Sequence, residues 1–445
     1  MVALNGRPHA RRSFLSLSWV AVCVAGSGVL TFGFLALVAR AMPSDEYAGF
    51  GAFWSMTLIL GFGAFLPVEL ELARSLSDRG STKPPPGTGR TTGLLAVGGV
   101  ASTLIAAPLL VTAFGGQTGP LVALVALVLT SAGQFVLRGM LLGRGRLRTH
   151  GTLLLVDSVL RVAFAGLVSI LLPGAGPTAY AWALVAAIAT THVPLLVWQR
   201  TRASGPHGED VGPLTVQGPS HGFGYAVAHL LIGTLAAQVL LNSAPIVVAA
   251  LADRAEAAAA AAFVACFTLV RLPLFVAVSL QSALVPLLVG ARRSGGPAAA
   301  RALVVRILLG TGGISLVALA VGAALGPPTV GLLFGPEFTI TGLDFGLLSA
   351  GAAIHLGLLV VSQVLVADQR HRAVAVVWAS GLAAGALVLA AVPDLLLRAT
   401  LAFTVGSAIA LSVSAFAVLS GAGAVPLREE DTAAPSVTPR PPSGA

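Results

Sequence analysis

Charge is scarce in this chain. Only 10% of its 445 residues are Asp, Glu, Lys or Arg, against about 25% in ordinary soluble domains. So little charge cannot coat a globule, which excludes a soluble domain of ordinary composition. Lysine is reduced to Lys83 beside 25 arginines, and Ala, Gly and Val abound, a bias that points to a GC-rich bacterial genome. The two cysteines, Cys23 and Cys266, exclude a disulfide framework, and both fall in apolar runs where a small packing residue is expected. No two histidines stand at metal-ligand spacing in those runs, and no serine elbow occurs. Gly143-Arg144-Gly145-Arg146 lacks the Gly-Lys-Ser/Thr of a phosphate-binding loop. Without an enzyme signature, the chain is not expected to be an enzyme.

What is present is length and apolarity. Hydrophobic residues make up 56% of the chain. A membrane-spanning helix needs roughly 20 apolar residues, and twelve runs meet that need, near 14–38, 47–73, 92–114, 120–143, 150–172 and 177–198, then 223–250, 257–289, 302–325, 342–366, 372–392 and 395–420. The fold class this predicts is an all-α polytopic membrane protein. Basic residues fall in every second gap. With the N-terminus inside, 21 of the 26 lie in inner segments, Arg40, Arg254 and Arg398 in outer gaps, and Arg161 and Arg271 in spans. Because cytoplasmic loops retain positive charge, both termini are expected in the cytoplasm. The net charge of +9 is spread over separate short loops, which fits contact with anionic membrane lipids rather than a nucleic-acid groove. Arg7, Arg11 and Arg12 precede a run of about 25 residues, longer than the 7–15 of a signal peptide, so a retained first helix is expected.

The chain divides into an N-terminal cytoplasmic segment (1–13), a first six-helix lobe (14–198), a cytoplasmic inter-lobe loop (199–222), a second six-helix lobe (223–420) and a disordered cytoplasmic tail (421–445) rich in Pro, Ser, Thr and Ala. The inner loop 77–90, with Pro84-Pro85-Pro86, is expected to be flexible. Leu142-Gly143-Arg144-Gly145-Arg146 closes span four, and Ala367-Asp368-Gln369-Arg370-His371 closes span ten, 224 residues later. Six spans per lobe make the repeats parallel, related by an axis along the membrane normal.

Three motifs carry a resemblance: Ala41-Met42-Pro43-Ser44-Asp45-Glu46-Tyr47-Ala48-Gly49-Phe50-Gly51 before and into span two, Leu137-Arg138-Gly139-Met140-Leu141-Leu142-Gly143-Arg144-Gly145-Arg146 leaving span four, and Leu333-Phe334-Gly335-Pro336-Glu337-Phe338 before span ten with Ala367-Asp368-Gln369-Arg370 at its end. In this order over residues 14–420, the chain resembles the multidrug/oligosaccharidyl-lipid/polysaccharide exporter superfamily, in its bacterial polysaccharide (O-antigen-type) flippase branch. The resemblance implies two six-helix lobes with pseudo-twofold symmetry around a central cavity that opens alternately to either side. It also implies a flippase that moves polyprenyl-pyrophosphate-linked oligosaccharide to the outer leaflet of the bacterial plasma membrane. The partners implied are the lipid-linked glycan and a polysaccharide polymerase or glycosyltransferase, with no cofactor; coupling to a proton or to sodium is left open.

Ionisable residues inside spans are the candidate site, because a charge there costs roughly 2.5–3.5 kcal/mol and needs a cavity or a partner. Arg271 lies too deep in span eight to snorkel, with Pro273 and Pro286 placed to bend the helix. It either binds pyrophosphate bidentately or is paired with a carboxylate that the sequence does not identify. Asp157 and Arg161, at i and i+4 in span five, form either a neutral structural pair or a cavity wall. Glu69 and Glu71 are expected to reach interfacial water, Glu71 meeting Arg74, and Arg138 to snorkel. Gln134, Gln238, Asn242, Gln281, His355 and Gln363 offer interhelical hydrogen bonds or partners for sugar hydroxyls. The competing functions are a multidrug or cation antiporter, which should concentrate carboxylates in its cavity, and a polysaccharide polymerase or ligase, which needs a larger outer loop than this chain offers.

Overall fold

In lipid no water is available to backbone N–H and C=O groups, so apolar spans must satisfy them internally. A computed structural model describes residues 7–203, 222–367 and 370–421, and every described element is helical. The first lobe holds α1 (Arg7–Ala41), α2 (Ser44–Thr57), a π-helical stretch (Leu58–Gly63), α3 (Ala64–Arg79), α4 (Thr88–Ile105), α5 (Ala107–Ala113), α6 (Gly119–Gly143), α7 (Leu147–Leu171) and α8 (Pro177–Ala203). The second holds α9 (Phe223–Leu251), α10 (Ala257–Val270), α11 (Leu272–Phe334), α12 (Gly342–Ala367), α13 (His371–Ala391) and α14 (Leu395–Gly421). Among the described residues eleven helices are long and apolar enough to cross a membrane, and twelve when α4 and α5 count as one span bent by 68°. The chain is a multi-pass membrane protein. Its ends are named inner and outer below by the charge-based orientation.

Several boundaries differ from expectation. The expected span 92–114 bends at Ala106, just before Pro108, whose missing N–H and ring oppose a straight helix. The expected span 257–289 breaks at Arg271, two residues before Pro273. The loop expected at 290–301 is helical, as is 326–334, both within α11. Gly295-Gly296-Pro297 is only a weak stop, and the strong helix formers at 298–301 continue the helix beyond it. Helix α8 runs to Ala203, into the stretch expected as the inter-lobe loop, and α14 takes in Gly421; the rest of that loop and the rest of the tail expected at 421–445 lie outside the described residues. The inner loop expected to be flexible is fastened: Arg144 donates to the Thr82 carbonyl from Nε (3.1 Å) and Nη2 (2.6 Å), and Thr88 Oγ1 donates to the Pro85 carbonyl (2.8 Å).

The internal repeat is visible in the backbone. After α6 the Arg146 N–H reaches back to the Leu141 carbonyl (2.9 Å), and the Arg146 carbonyl accepts from His150 (3.0 Å). After α12, 224 residues later, Arg370 reaches back to Leu365 (3.0 Å) and accepts from Val374 (3.1 Å). The backbone angles agree, with φ/ψ of −81°/53° at Arg146 and −84°/60° at Arg370. Likewise α2 and α10 are each 14 residues long, and they pack on each other. Gly51 and Val264, the eighth residue of each, meet where the helices cross, so the crossing point sits on the pseudo-twofold axis.

Around and above that crossing the lobes share one dry core. Phe34, Tyr47, Phe50, Phe53, Phe114 and Tyr180 of the first lobe join Phe263, Phe267, Phe334 and Phe338 of the second. The Tyr47 and Phe338 rings meet edge to face at 5.5 Å, and Phe32 meets Phe334 the same way at 5.7 Å. Arg40 closes the rim by donating to the Leu333 carbonyl (2.8 Å) and the Leu332 carbonyl at the end of α11. Toward the inner side the buried apolar residues form separate clusters, one within the second lobe and one on α3 and α6 that takes in Phe223 and Val227 of α9. The outer side is thus sealed between the lobes.

The crossing makes a direct prediction. A Cβ on Gly51 would overlap Val264 Cγ1, and a β-branched side chain cannot swing away. Gly51→Ala should destabilise the purified protein by about 1–3 kcal/mol, and adding Val264→Ala should recover most of that loss in detergent melting curves.

Candidate functional site at the lobe seam

Arg271 occupies the break between α10 and α11, and only 3% of it is exposed. Its Nε donates to the Phe267 carbonyl (3.1 Å), its Nη1 donates to Asn242 Oδ1 on α9, and its guanidinium carbon lies 4.8 Å from the Phe267 ring centroid. Tyr47 of α2, in the other lobe, is within electrostatic reach. Among the described residues no carboxylate pairs with it. Hydrogen bonds to a charged group contribute about 1.5–3 kcal/mol each and a desolvated cation–π contact about 2 kcal/mol, enough to offset the roughly 2.5–3.5 kcal/mol insertion cost without an ion pair.

Asn242 and Gln238 are drawn into this arrangement. The Asn242 amide donates to the Gln238 carbonyl and to its Oε1, both at 2.9 Å. One turn earlier on the same face of α9, Thr234 Oγ1 donates to the Gly63 carbonyl (2.9 Å) at the end of the π-helical stretch. The reason lies four residues on: Pro67 has no N–H to offer that carbonyl, so a hydroxyl from α9 replaces it. Gly63 permits the approach, because a Cβ there would lie 3.1 Å from Leu235 Cδ1 and 3.4 Å from Gln238 Cβ. Thr234, Gln238 and Asn242 thus form one polar stripe from the first lobe's π-helix to Arg271.

The remaining candidates lie on the far side of the π-helix. Arg161 and Gln134 line a small cleft with Trp54, Thr57, Gly61 and Ser131. Arg161 Nη2 is ion-paired with Asp157, which is 3% exposed. The six candidate residues therefore form two groups, Arg271–Asn242–Gln238 at the seam and Asp157–Arg161–Gln134 inside the first lobe.

Other expectations need correction. Arg138 does not snorkel and Glu69 does not reach water: they form an ion pair across α6 and α3 (3.0 Å), 8% and 3% exposed, with the guanidinium carbon 4.9 Å from the Phe135 ring centroid. Glu71 meets Arg74 as expected (2.6 Å), yet it is 5% exposed. Depth along a span is legible from sequence; the neighbour on the next helix is not. His192 and His355 are fully buried. The His192 Nδ1–H donates to the Ile188 carbonyl (2.9 Å), and His355 shares a hydrogen bond with Ser407 (3.0 Å). His192 went unremarked in sequence, where Thr191-His192 inside an apolar run was the available signal. The Gln281 side chain lies outside what the structure describes. Among the described residues no three His, Cys, Asp or Glu converge as a metal site.

Removing one partner of a buried ion pair strands the other, at about 3–5 kcal/mol. Asp157→Asn should lower stability by that order, and Asp157→Asn with Arg161→Gln should recover most of it in thermal melts. Exchanging the charges (Asp157→Arg with Arg161→Asp) then separates roles. A melting temperature restored to the parent's marks a structural bridge, and one left at the single variant's level shows that the pair is not interchangeable.

No known family profile matches the chain. Uncharacterized protein Rv1510 of Mycobacterium tuberculosis (strain ATCC 25618 / H37Rv) is 27% identical over 281 residues, 63% of this chain and 62% of that protein, so the match spans less than two thirds of that relative's length. Uncharacterized protein Rv3630 of the same strain is 24% identical over 413 residues, 89% of this chain and 90% of that protein. A multidrug resistance MATE family transporter of the MOP superfamily, in an inward-facing conformation, superposes with a TM-score of 0.60 at 13% identity, covering 92% of this chain and 96% of that one. Lipid II flippase MurJ, in an inward closed conformation, gives 0.60 at 12% identity over 90% and 87%. A MOP superfamily transporter from Pyrococcus furiosus, described by the reverse polarity of its binding pocket, gives 0.57 at 14% identity over 92% and 96%. The chain has the MOP-type transporter fold, two six-helix lobes as in the MATE transporters and MurJ.

Proposed function

We propose that this protein is a flippase that carries a polyprenyl-pyrophosphate-linked oligosaccharide from the inner to the outer leaflet by alternating access, with Arg271 as its phosphate-binding residue. The observation that carries this reading is a difference in charge pairing. Among the described residues, each carboxylate buried in the helices, Glu69, Glu71 and Asp157, has its arginine, whereas the guanidinium at the lobe seam meets an amide, a carbonyl and an aromatic ring and no carboxylate. A site for an organic cation would need the opposite excess. The fold itself fits a multidrug antiporter equally, since the MATE transporter and MurJ superpose to the same TM-score. The uncompensated arginine favours an anion. A planar guanidinium presents a fork of donors that matches phosphate oxygens two at a time, and closure between the lobes keeps such contacts dry. The seal on the outer side fits a state that would load from the cytoplasmic leaflet. The paired Asp157–Arg161 and the amide of Gln134 form a polar wall in the first lobe, suited to sugar hydroxyls once the cleft widens.

Depletion of the protein, followed by mass spectrometry of extracted polyprenyl lipids, tests the reading. Accumulation of one glycan-pyrophosphate lipid in the cytoplasmic leaflet is the expected result; an unchanged lipid pool with new sensitivity to cationic drugs points to the antiporter instead. In the same strain Arg271→Ala should abolish complementation at normal protein levels, and Arg271→Lys should restore only part, because an ammonium lacks the bidentate fork. Full activity of Arg271→Ala would remove the phosphate role.

A further inference from the structure

Spans two and eight are interrupted at the same depth. Each runs 14 helical residues from its outer end and then leaves regular α geometry, at Leu58 in one lobe and at Arg271 in the other. The two outer segments, α2 and α10, pack on each other across the pseudo-twofold axis and carry much of the outer seal. Each interruption disturbs the carbonyl pairing of its helix, which is costly in lipid, and at each a side chain donates to a carbonyl. Thr234 serves the Gly63 carbonyl (2.9 Å) and Arg271 serves the Phe267 carbonyl (3.1 Å). The two repairs are linked through α9, where Thr234, Gln238 and Asn242 share a face and Asn242 holds Arg271. An interrupted long helix is commonplace. Two helices interrupted at matching points, packed on each other, with both interruptions fastened to one third helix, make a device.

We propose that α2 and α10 form the outer gate, pivoting at these paired interruptions, and that a pyrophosphate-type anion engaging Arg271 unlatches it. The proposal rests on the reading of Arg271 as the anion site and adds its regulation. In the sealed state described here the guanidinium donors are directed at Asn242 and Phe267. An anion that takes a bidentate hold competes for those same donors, so it binds best where Asn242 has let go. A ligand shifts a conformational equilibrium only by its differential affinity for the two states, and this competition is the source of that difference. Release of Asn242 frees α10 from α9 at its pivot, and α2 follows because Gly51 and Val264 keep the two segments in register. The seal contacts Tyr47–Phe338 and Arg40–Leu333 then separate as the gate lifts. Loading from inside and opening to the outside become consecutive steps of one event.

The test uses the full-length protein in nanodiscs, made cysteine-free by Cys23→Ala and Cys266→Ala. Spin labels at Thr118→Cys and Arg254→Cys, exposed residues at the outer ends of the two lobes, report their separation. Inorganic pyrophosphate is the probe. It should lengthen the label distance by about one helical turn, roughly 5 Å. Pro273→Ala restores an N–H two residues past the break and lets the helix run through. That variant should bind pyrophosphate within about threefold of the parent, under 1 kcal/mol, yet show no lengthening. Asn242→Leu, which removes the latch, should lengthen the distance with no pyrophosphate present. Binding by the parent without lengthening, or equal lengthening in Pro273→Ala, overturns the gate while leaving Arg271 as an anion site. No binding by the parent overturns both. Should Pro273→Ala fail to fold, Asn242→Leu decides alone, and an unaltered distance in that variant refutes the latch.

Discussion

A carbonyl in hydrocarbon must have a donor, and much of the site's construction follows from how this protein meets that rule where its helices are irregular. An unbroken helix meets it alone. Span two does not, because Pro67 withholds an N–H, and span eight does not, because the backbone turns at Arg271 before Pro273. The missing donors come from Thr234 and from the Arg271 side chain, and their positions tie α9 to both lobes at mid-depth. The polar stripe on α9 lies where the apolar helices around it are irregular.

The two lobes use their few buried charges differently. The first keeps acids and bases in pairs, Glu69 with Arg138 and Asp157 with Arg161, which hold α3 against α6 and neutralise one face of α7. The second places the Arg271 guanidinium at the seam and satisfies it with an amide, a carbonyl and an aromatic face. A backbone repeat close enough to superimpose its turns at Arg146 and Arg370 therefore frames unlike chemistry, and that unlikeness is where a preference for one substrate charge arises.

The long apolar runs in the sequence were enough to give the multi-pass helical class, though not every span boundary, and the four-residue spacing of Asp157 and Arg161 was enough to pair them. Pro273 marked the break in span eight. What escaped sequence reading was whatever depends on a second helix. Pro67 was the local mark of the irregularity at Leu58–Gly63, but the donor that replaces its missing N–H, Thr234, lies 171 residues away. Arg138 was assigned to water for the same reason: its depth was clear, but the facing Glu69 was not. Gln238 and Asn242 were visible as a pair on one helical face, whereas their engagement with Arg271 depends on how α9 meets α10. The axis point at Gly51 and Val264 was hidden because the repeat keeps the position and not the residue type.

A buried cation with no carboxylate partner among the described residues also has an electrical meaning. A cell interior negative by 100 mV acts on each elementary charge moved across with about 2.3 kcal/mol. For the substrate class proposed, each negative charge sent outward descends that potential. Arg271 travels with its lobe over only part of the field, so it can cancel substrate charge locally while the substrate crosses without exporting any charge of its own. Such a carrier would draw on the resting voltage itself, and its rate would rise as the membrane hyperpolarises.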